Sequence, residues 1–510
     1  MNRSRWLPLY PFLFALYFVM TLAEANIGEF KSLADLREPI ALSVGVCTVC
    51  WLVGFAITRH PHKAAALALV WFVAFAVYGY VTESLRASGT LMIMGGDAIV
   101  RVLFAVALVG LSLAISRSAR RLEPISVYLS LVGLVLIGFT TAQLLRGLSR
   151  ETDVRVSLAP SAISAAPWPS GEAPDIFLIV LDKYTGGQLL RDHFEFDNGE
   201  FEDWLRSQGF VVPRAAKANY PQTSLALASL LNLDYLHNLP PELRLGDLVE
   251  HNRLVAFLKE RGYRFVFFPS AYRITFQNRN ADLQLPLPKQ VRSEFGAVWQ
   301  NTTMLPELLG GACGLIGCNG GRFLLKAQTA EDMNWKFERL AELAGGDQPA
   351  FVLAHLSLPH EPYIYHADCT PRIPYWPASA GLLGDDEATR GYLDQIRCAN
   401  RKLAALVDAI MARSSREAVI LLQADHGHGR IGALRRVQKI SPRELRERMS
   451  VFAAYRLPGV DGRAIGDSIT PVNAVRLVLR HYFGADLPAL EDASYWGLQD
   501  EPRDLVRVAP

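Results

Sequence analysis

The chain has 510 residues, more than the roughly 250 to 300 at which a single hydrophobic core stops growing, so it holds several domains. Hydrophobic residues make up 50% and charged residues 20%, with a mean hydropathy of +0.15. That is too apolar for one soluble globule and too charged for a membrane bundle throughout. A net charge of +2 without a basic stripe argues against a nucleic-acid partner.

The apolar residues are concentrated in the first 145 positions, in five runs at about 6 to 23, 40 to 58, 64 to 81, 99 to 116 and 126 to 144. Each is close to the roughly 20 residues a helix needs to cross a bilayer. Ala23-Glu24-Ala25 has the form of a signal cleavage site, but the first run exceeds a signal h-region and four more runs follow. Stretches such as VLFAVALVGLSLAI are apolar on every face and lack the polar stripe of a surface helix. Five spans are therefore expected over residues 1–145.

Loop charges orient them. Arg3, Arg5, Arg59, Lys63, Arg117, Arg120 and Arg121 fall on one side, against Lys31, Arg37, Arg86 and Arg101 on the other. The positive-inside rule places the first side in the cytoplasm, and five spans deliver the rest of the chain to the opposite face. The expected location is a multi-pass protein of the inner or cytoplasmic membrane with an extracytoplasmic (periplasmic or extracellular) C-terminal domain.

Cysteines agree with export. Cys47 and Cys50 lie in the second span, whereas Cys313, Cys318, Cys369 and Cys398 all follow the fifth. Pairings of Cys313 with Cys318 and Cys369 with Cys398 are expected, although four cysteines allow three connectivities. A structural zinc site is the rival, disfavoured because no paired CxxC spacing is present. Residues 146–174 contain SLAPSAISAAPWPSGEAP, whose Pro, Ser and Ala read as a tether.

From residue 175 to 510 the pattern alternates. DIFLIVL (175–181), the strand of LVAFLKERGYRFVFF (254–268), AFVLAHL (350–356) and AVILLQ (418–423) are strand-like. EFEDWLRSQGF (200–210), residues 387–413 and PVNAVRLVLRHYF (471–483) are helical. Apolar strands between amphipathic helices predict an α/β domain around a mostly parallel central sheet.

Ligands of such sheets bind beyond the carboxyl ends of the strands. DIFLIVL ends in Asp182, and AVILLQ runs into Asp425-His426-Gly427-His428-Gly429. Two carboxylates and an imidazole brought to one edge suit Mg²⁺, Mn²⁺ or Zn²⁺, and the glycines are expected to let the backbone turn sharply. The competing reading of an Asp at a strand end is a turn or helix cap.

ANYPQTSLALASLLN (218–232) puts Thr223 at a helix start, where unpaired N–H groups favour an anion. Thr223 or Ser224 could serve there simply as an N-cap. A hydroxyl bound to a metal could instead attack a phosphoryl centre.

PDIFLIVLDKYTG, NYPQTSLALASLLN, LSLPHEPY, LLQADHGHG and ITPVNAVRLVL occur in this order. The order resembles that of sulfatase-like proteins of the alkaline phosphatase superfamily over about residues 173–487. With the five-span anchor, the whole resembles lipoteichoic acid synthase and the phosphoglycerol and phosphoethanolamine transferases. The resemblance implies an alkaline-phosphatase-like fold in which Asp182, Asp425 and His426 hold one divalent ion, Mn, Mg or Zn. Thr223 would complete its ligands and act as the nucleophile. His360 would lie near the leaving group or charged oxygens, and Lys183 and His428 are candidates for substrate contact, a solvent-facing position being the alternative for each.

Departures from that pattern restrict the chemistry. No cysteine or arginine of a Cys-x-Pro-x-Arg-like motif surrounds Thr223, which argues against formylglycine-based sulfate hydrolysis. Lys183 stands where these proteins usually have a second Asp, and for a second metal only His366 and Asp368 offer themselves. The expectation is a metal-dependent phosphoryl-group transferase or phosphodiesterase acting on a membrane lipid headgroup or envelope glycan. A sulfate or phosphate monoester hydrolase and a catalytically silent envelope-binding domain are the alternatives.

Overall fold

The structure is a computed structural model and describes residues 8–26, 33–87, 97–119, 122–153, 163, 173–241, 243–270, 272–285, 294–309, 329–375, 385–429, 440–498 and 501–509. The chain divides into two compact units.

The first unit contains the apolar helices Tyr10–Ala25, Arg37–Thr58, Pro61–Ala87, Asp97–Arg117 and Glu123–Asp153. Among the described residues, the last four contain stretches long and apolar enough to cross a membrane, and Tyr10–Ala25 is a shorter apolar helix. Large aliphatic side chains point outward: Val106, Val109 and Val135 are all more than half exposed. In water such a surface would be an aggregation liability, whereas in lipid it needs no cover.

Residues 294–309, far downstream in sequence, belong to the same unit. Phe295 and Trp299 of the helix Glu294–Thr302 are fully buried in a core with Val19, Cys47, Phe72 and Leu144. The Trp299 Nε1 donates to Ser43 Oγ (3.1 Å), and the Met304 amide donates to the Phe75 carbonyl (2.8 Å). Residues 294–309 are thus a packing element of the helical unit.

The second unit is built on a six-stranded sheet in the order β3 (Leu283–Gln284), β2 (Arg264–Phe268), β4 (Ala350–Pro359), β1 (Asp175–Asp182), β7 (Ala418–Ala424), β8 (Ala453–Arg456). All neighbours are parallel except β7 with β8. Every residue of β1 and β7 is buried, which is why both read as unbroken apolar runs rather than alternating ones. Gly209 and Gly262, with φ of +83° and +79°, follow the ends of two helices in the left-handed conformation that terminates them.

Register does the positioning. Leu181 of β1 pairs with Ala424 of β7, and His355 of β4 pairs with Val180. The residues one step past Leu181 and Ala424 are Asp182 and Asp425, side by side, and the Asp425 amide donates to the Leu181 carbonyl (3.0 Å). Strand side chains alternate faces, so His355, level with Val180, shares the face of Asp182.

Cys369 and Cys398 form a disulfide. Cys313 and Cys318 lie outside the described residues. The hairpin of β5 (Tyr363–Tyr365) and β6 (Pro371–Tyr375) carries Cys369 in its turn.

Candidate active site

Three adjacent strands, β4, β1 and β7, end at one edge and supply the cluster. Asp182 Oδ1 and Asp425 Oδ2 each lie 3.6 Å from His426 Nε2, and Asp182 Oδ2 lies 3.6 Å from His355 Nε2. Asp182, His355 and Asp425 offer three ligand atoms within 4.8 Å of one another, all buried. His355 was missed by the sequence reading, hidden inside the apolar run AFVLAHL.

Asp425 divides its oxygens between two tasks. Its Oδ1 accepts from the amides of His426 (2.7 Å) and Lys183 (3.4 Å), as a capping carboxylate does. Its Oδ2, with Asp182 Oδ1 and His355 Nε2, is buried without a hydrogen-bond partner. Orphaned buried polar atoms are costly, and three that converge need a shared partner.

Electrostatics point the same way. Burial pushes Asp182 well above the ordinary carboxyl range, and the adjacent Asp425 carboxylate adds to the shift. Burial lifts Asp425 to about 6. Burial, then the Arg448 charge, holds His426 well below its usual value, and burial, then the Lys336 charge, brings His355 down to about 3. Neutral imidazoles beside carboxyl groups that resist ionising together form a donor set fitted to a divalent cation.

The helix Thr223–Leu231 starts with the candidate nucleophile. Gln222 is its N-cap residue and makes no side-chain cap, so neither Thr223 nor Ser224 is the N-cap. The Thr223 hydroxyl instead lies 3.2 Å from His426 Nε2. His426 Nδ1 lies 3.1 Å from the Gly427 carbonyl, which can only accept. The proton therefore sits on Nδ1, and the Nε2 lone pair faces Thr223.

Lys183 is buried, not solvent-facing. Its φ of +63° is uncommon outside glycine, and its Nζ donates to Glu361 Oε2 at 2.7 Å. Burial raises Glu361, but the charges of Lys183 and His360 and the hydrogen bond from Lys183 together outweigh it and hold the carboxylate below its normal range. Glu361 also escaped the sequence reading, although it adjoins His360 in LPHEPY. The His360 amide donates to the Asp182 carbonyl (3.1 Å), which keeps His360 at the same edge, and its Nδ1 lies 2.5 Å from the Glu361 carbonyl.

His428 packs its ring against Phe194 and Tyr392, with centroids 5.2 and 4.6 Å away, and its amide donates to Thr185 Oγ1 (2.9 Å). His366 and Asp368 do not join the cluster: both are exposed in the β5–β6 turn, where Asp368 accepts from Thr370.

The glycines of DHGHG have a reason different from the expected sharp turn. Neither Gly427 nor Gly429 has a positive φ. A Cβ on Gly427 would lie 2.2 Å from the Glu447 carbonyl oxygen and 2.4 Å from that of Ser450. A Cβ on Gly429 would lie 3.1 Å from Arg448 Cδ. Both positions are kept bare by the end of the helix Pro442–Met449.

No protein-family model and no curated protein matches the chain. Among solved structures it is similar to the integral membrane lipooligosaccharide phosphoethanolamine transferase A (EptA) of Neisseria meningitidis, at 14% identity and TM-score 0.44, covering 93% of this chain and 94% of that one. It is also similar to the C-terminal periplasmic domain of EcEptC of Escherichia coli in complex with Zn, at 11% identity and TM-score 0.43, covering 68% and 96%. A 2-O GAG sulfatase is similar at 16% identity and TM-score 0.37, covering 63% and 73%. These structural neighbours are phosphoethanolamine transferases and sulfatases. Roles within the site rest on its own geometry.

Proposed function

We propose that the protein is a membrane-anchored, metal-dependent phosphoryl-group transferase or phosphodiesterase acting on a lipid headgroup or envelope glycan outside the cytoplasm, with Thr223 as nucleophile. The observation that carries this reading is the Thr223 hydroxyl, 3.2 Å from His426 Nε2 and beside two carboxylates with unpartnered oxygens. A helix cap would turn its oxygen toward its own backbone, and a binding surface has no use for a hydroxyl so placed.

Asp182, Asp425 and His426 would hold one divalent ion, with Thr223 as a further ligand and His355 beside Asp182. When bound, that ion lowers the hydroxyl pKa and neutralises charge on the transferred group. Thr223 loses its proton to solvent and Oγ1 forms a bond to phosphorus. The bond to the leaving oxygen breaks, the electron pair departs with that oxygen, and a proton is taken up there. Water or an acceptor hydroxyl then attacks the phosphothreonine, and Thr223 recovers its electron pair and a proton. The first helical turn offers backbone N–H groups to the phosphoryl oxygens. Lys183, fixed on Glu361, holds positive charge at the strand ends, and His360 stands where substrate oxygens would pass.

The test is a mass-spectrometric comparison of membrane lipids and envelope glycans from cells carrying the wild type, the Thr223→Ala variant or neither. A phosphorylated headgroup or glycan species that depends on wild type alone supports the proposal. Identical profiles from wild type and Thr223→Ala would refute it.

A further inference from the structure

We propose that Arg448, which lies outside every motif read from the sequence, grips a non-bridging oxygen of the transferred phosphoryl group and is freed to do so when His426 binds metal. This rests on the phosphoryl-transfer reading above. Arg448 is the penultimate residue of the helix Pro442–Met449 and is only 6% exposed. Its Nε donates to the Pro221 carbonyl (2.5 Å), its Nη1 to the Gly427 carbonyl (3.4 Å) and its Nη2 to His426 Nε2 (3.2 Å).

Two of those partners differ in kind from the third. The carbonyls of Pro221 and Gly427 flank Thr223 and His426 in sequence and anchor the guanidinium between the nucleophile's loop and the Asp-His loop. The third partner is the imidazole lone pair that a metal would claim. A guanidinium has donors only and does not lose its proton, so it cannot share that lone pair with a cation. With His426 on a metal, Nη2 would lose this acceptor while Nε and Nη1 keep their carbonyl partners.

What stands next to it is the reaction centre. Thr223 Oγ1 is 3.2 Å from the same Nε2, so Nη2 and the nucleophile flank one atom. The Arg448 charge also faces Asp425, Asp182 and Glu361. A planar donor fork, largely desolvated and one acceptor short, matches an anionic phosphoryl oxygen. The bare Gly429, beside Arg448 Cδ, leaves room for the side chain to lie in this pose.

The test uses the full chain purified in detergent, loaded with Mn²⁺ or Zn²⁺, with inorganic phosphate as the probe. Metal per chain is measured by elemental analysis and phosphate affinity by calorimetry for wild type, Arg448→Lys and Arg448→Met. Both variants should keep wild-type metal content while phosphate binding weakens at least tenfold, more in the methionine variant. Phosphate affinity within twofold of wild type would overturn the inference, and so would metal loss that parallels the loss of phosphate, since Arg448 would then act only by holding the loop. A structure of metal-loaded wild type with phosphate needs no substitution. Nη2 should have left His426 for a phosphate oxygen, and Nη2 still on His426 would contradict the proposal. If wild type binds metal and phosphate but the variants match it, this inference alone fails. A wild type that takes up neither sinks the phosphoryl-transfer reading with it.

Discussion

Thr223 Oγ1 and His426 Nε2, 203 residues apart in sequence, meet at 3.2 Å in the buried edge of the sheet. Because the cap position belongs to Gln222, this contact separates chemistry from helix stability. Thr223→Ala should lower stability by less than the roughly 0.5 to 2 kcal/mol of a lost N-cap, while turnover falls by several orders of magnitude. Thr223→Ser should keep a fraction of turnover. Thermal unfolding and turnover of a phosphodiester or phospholipid substrate by purified protein measure the two effects separately.

Asp182 and Asp425 oppose each other without a cation between them. Asp425→Asn keeps an acceptor for the amides of His426 and Lys183 but removes one buried negative charge. In metal-free protein its melting temperature should equal or exceed that of wild type. Added metal should raise the melting temperature of wild type by mass action and leave the variant unchanged. Melting curves with and without chelator check both halves, and an equal metal response in the two proteins would be the wrong result.

Gly427→Ala and Gly429→Ala should differ sharply. The first sets a methyl against two backbone carbonyl oxygens and should cost about 1 to 3 kcal/mol or more, with loss of bound metal. The second meets the flexible stem of Arg448 and should be milder. Metal content and unfolding midpoints of the two variants give the comparison.

Lys336, on the helix Ala330–Glu342, is 2% exposed, and burial lowers its pKa to about 8 from 10.5. The folded state thus binds this proton more weakly than the unfolded one, so stability rises with pH between about 8 and 10.5 and the full penalty applies below 8. The difference corresponds to about 3 kcal/mol. Lys336→Met should be more stable than wild type at pH 7, and the gap should shrink as pH rises past 9. Chemical denaturation at several pH values measures it; a gap independent of pH would contradict the assignment.

Legibility in the sequence followed locality. Asp182 and Asp425 could be picked out because each interrupts an unbroken apolar strand, and Thr223 because a proline and a polar residue precede an apolar helix. The parallel sheet was readable for the same reason: strands buried on both faces leave no alternation. His355 was invisible because its place depends on register between β4 and β1, which no single segment encodes. Arg448 was hidden in PRELRERM, where only tertiary packing selects the arginine that turns inward. Phe295 and Trp299 lie in a short helix whose burial partners are hundreds of residues upstream in sequence. The glycines of DHGHG were noticed for conformational freedom, yet Gly427 serves the close approach of another backbone and Gly429 that of the Arg448 side chain.

In the proposed reaction Thr223 carries the phosphoryl group between donor and acceptor. Metal-loaded wild-type protein, mixed with a phospholipid donor and quenched in acid within the first turnover, should yield a Thr223 peptide heavier by the transferred phosphoryl group. That species should disappear when acceptor is added and be absent from Thr223→Ala. Turnover by wild type with Thr223 unmodified at every quench time, or undiminished turnover by Thr223→Ala, would contradict the account.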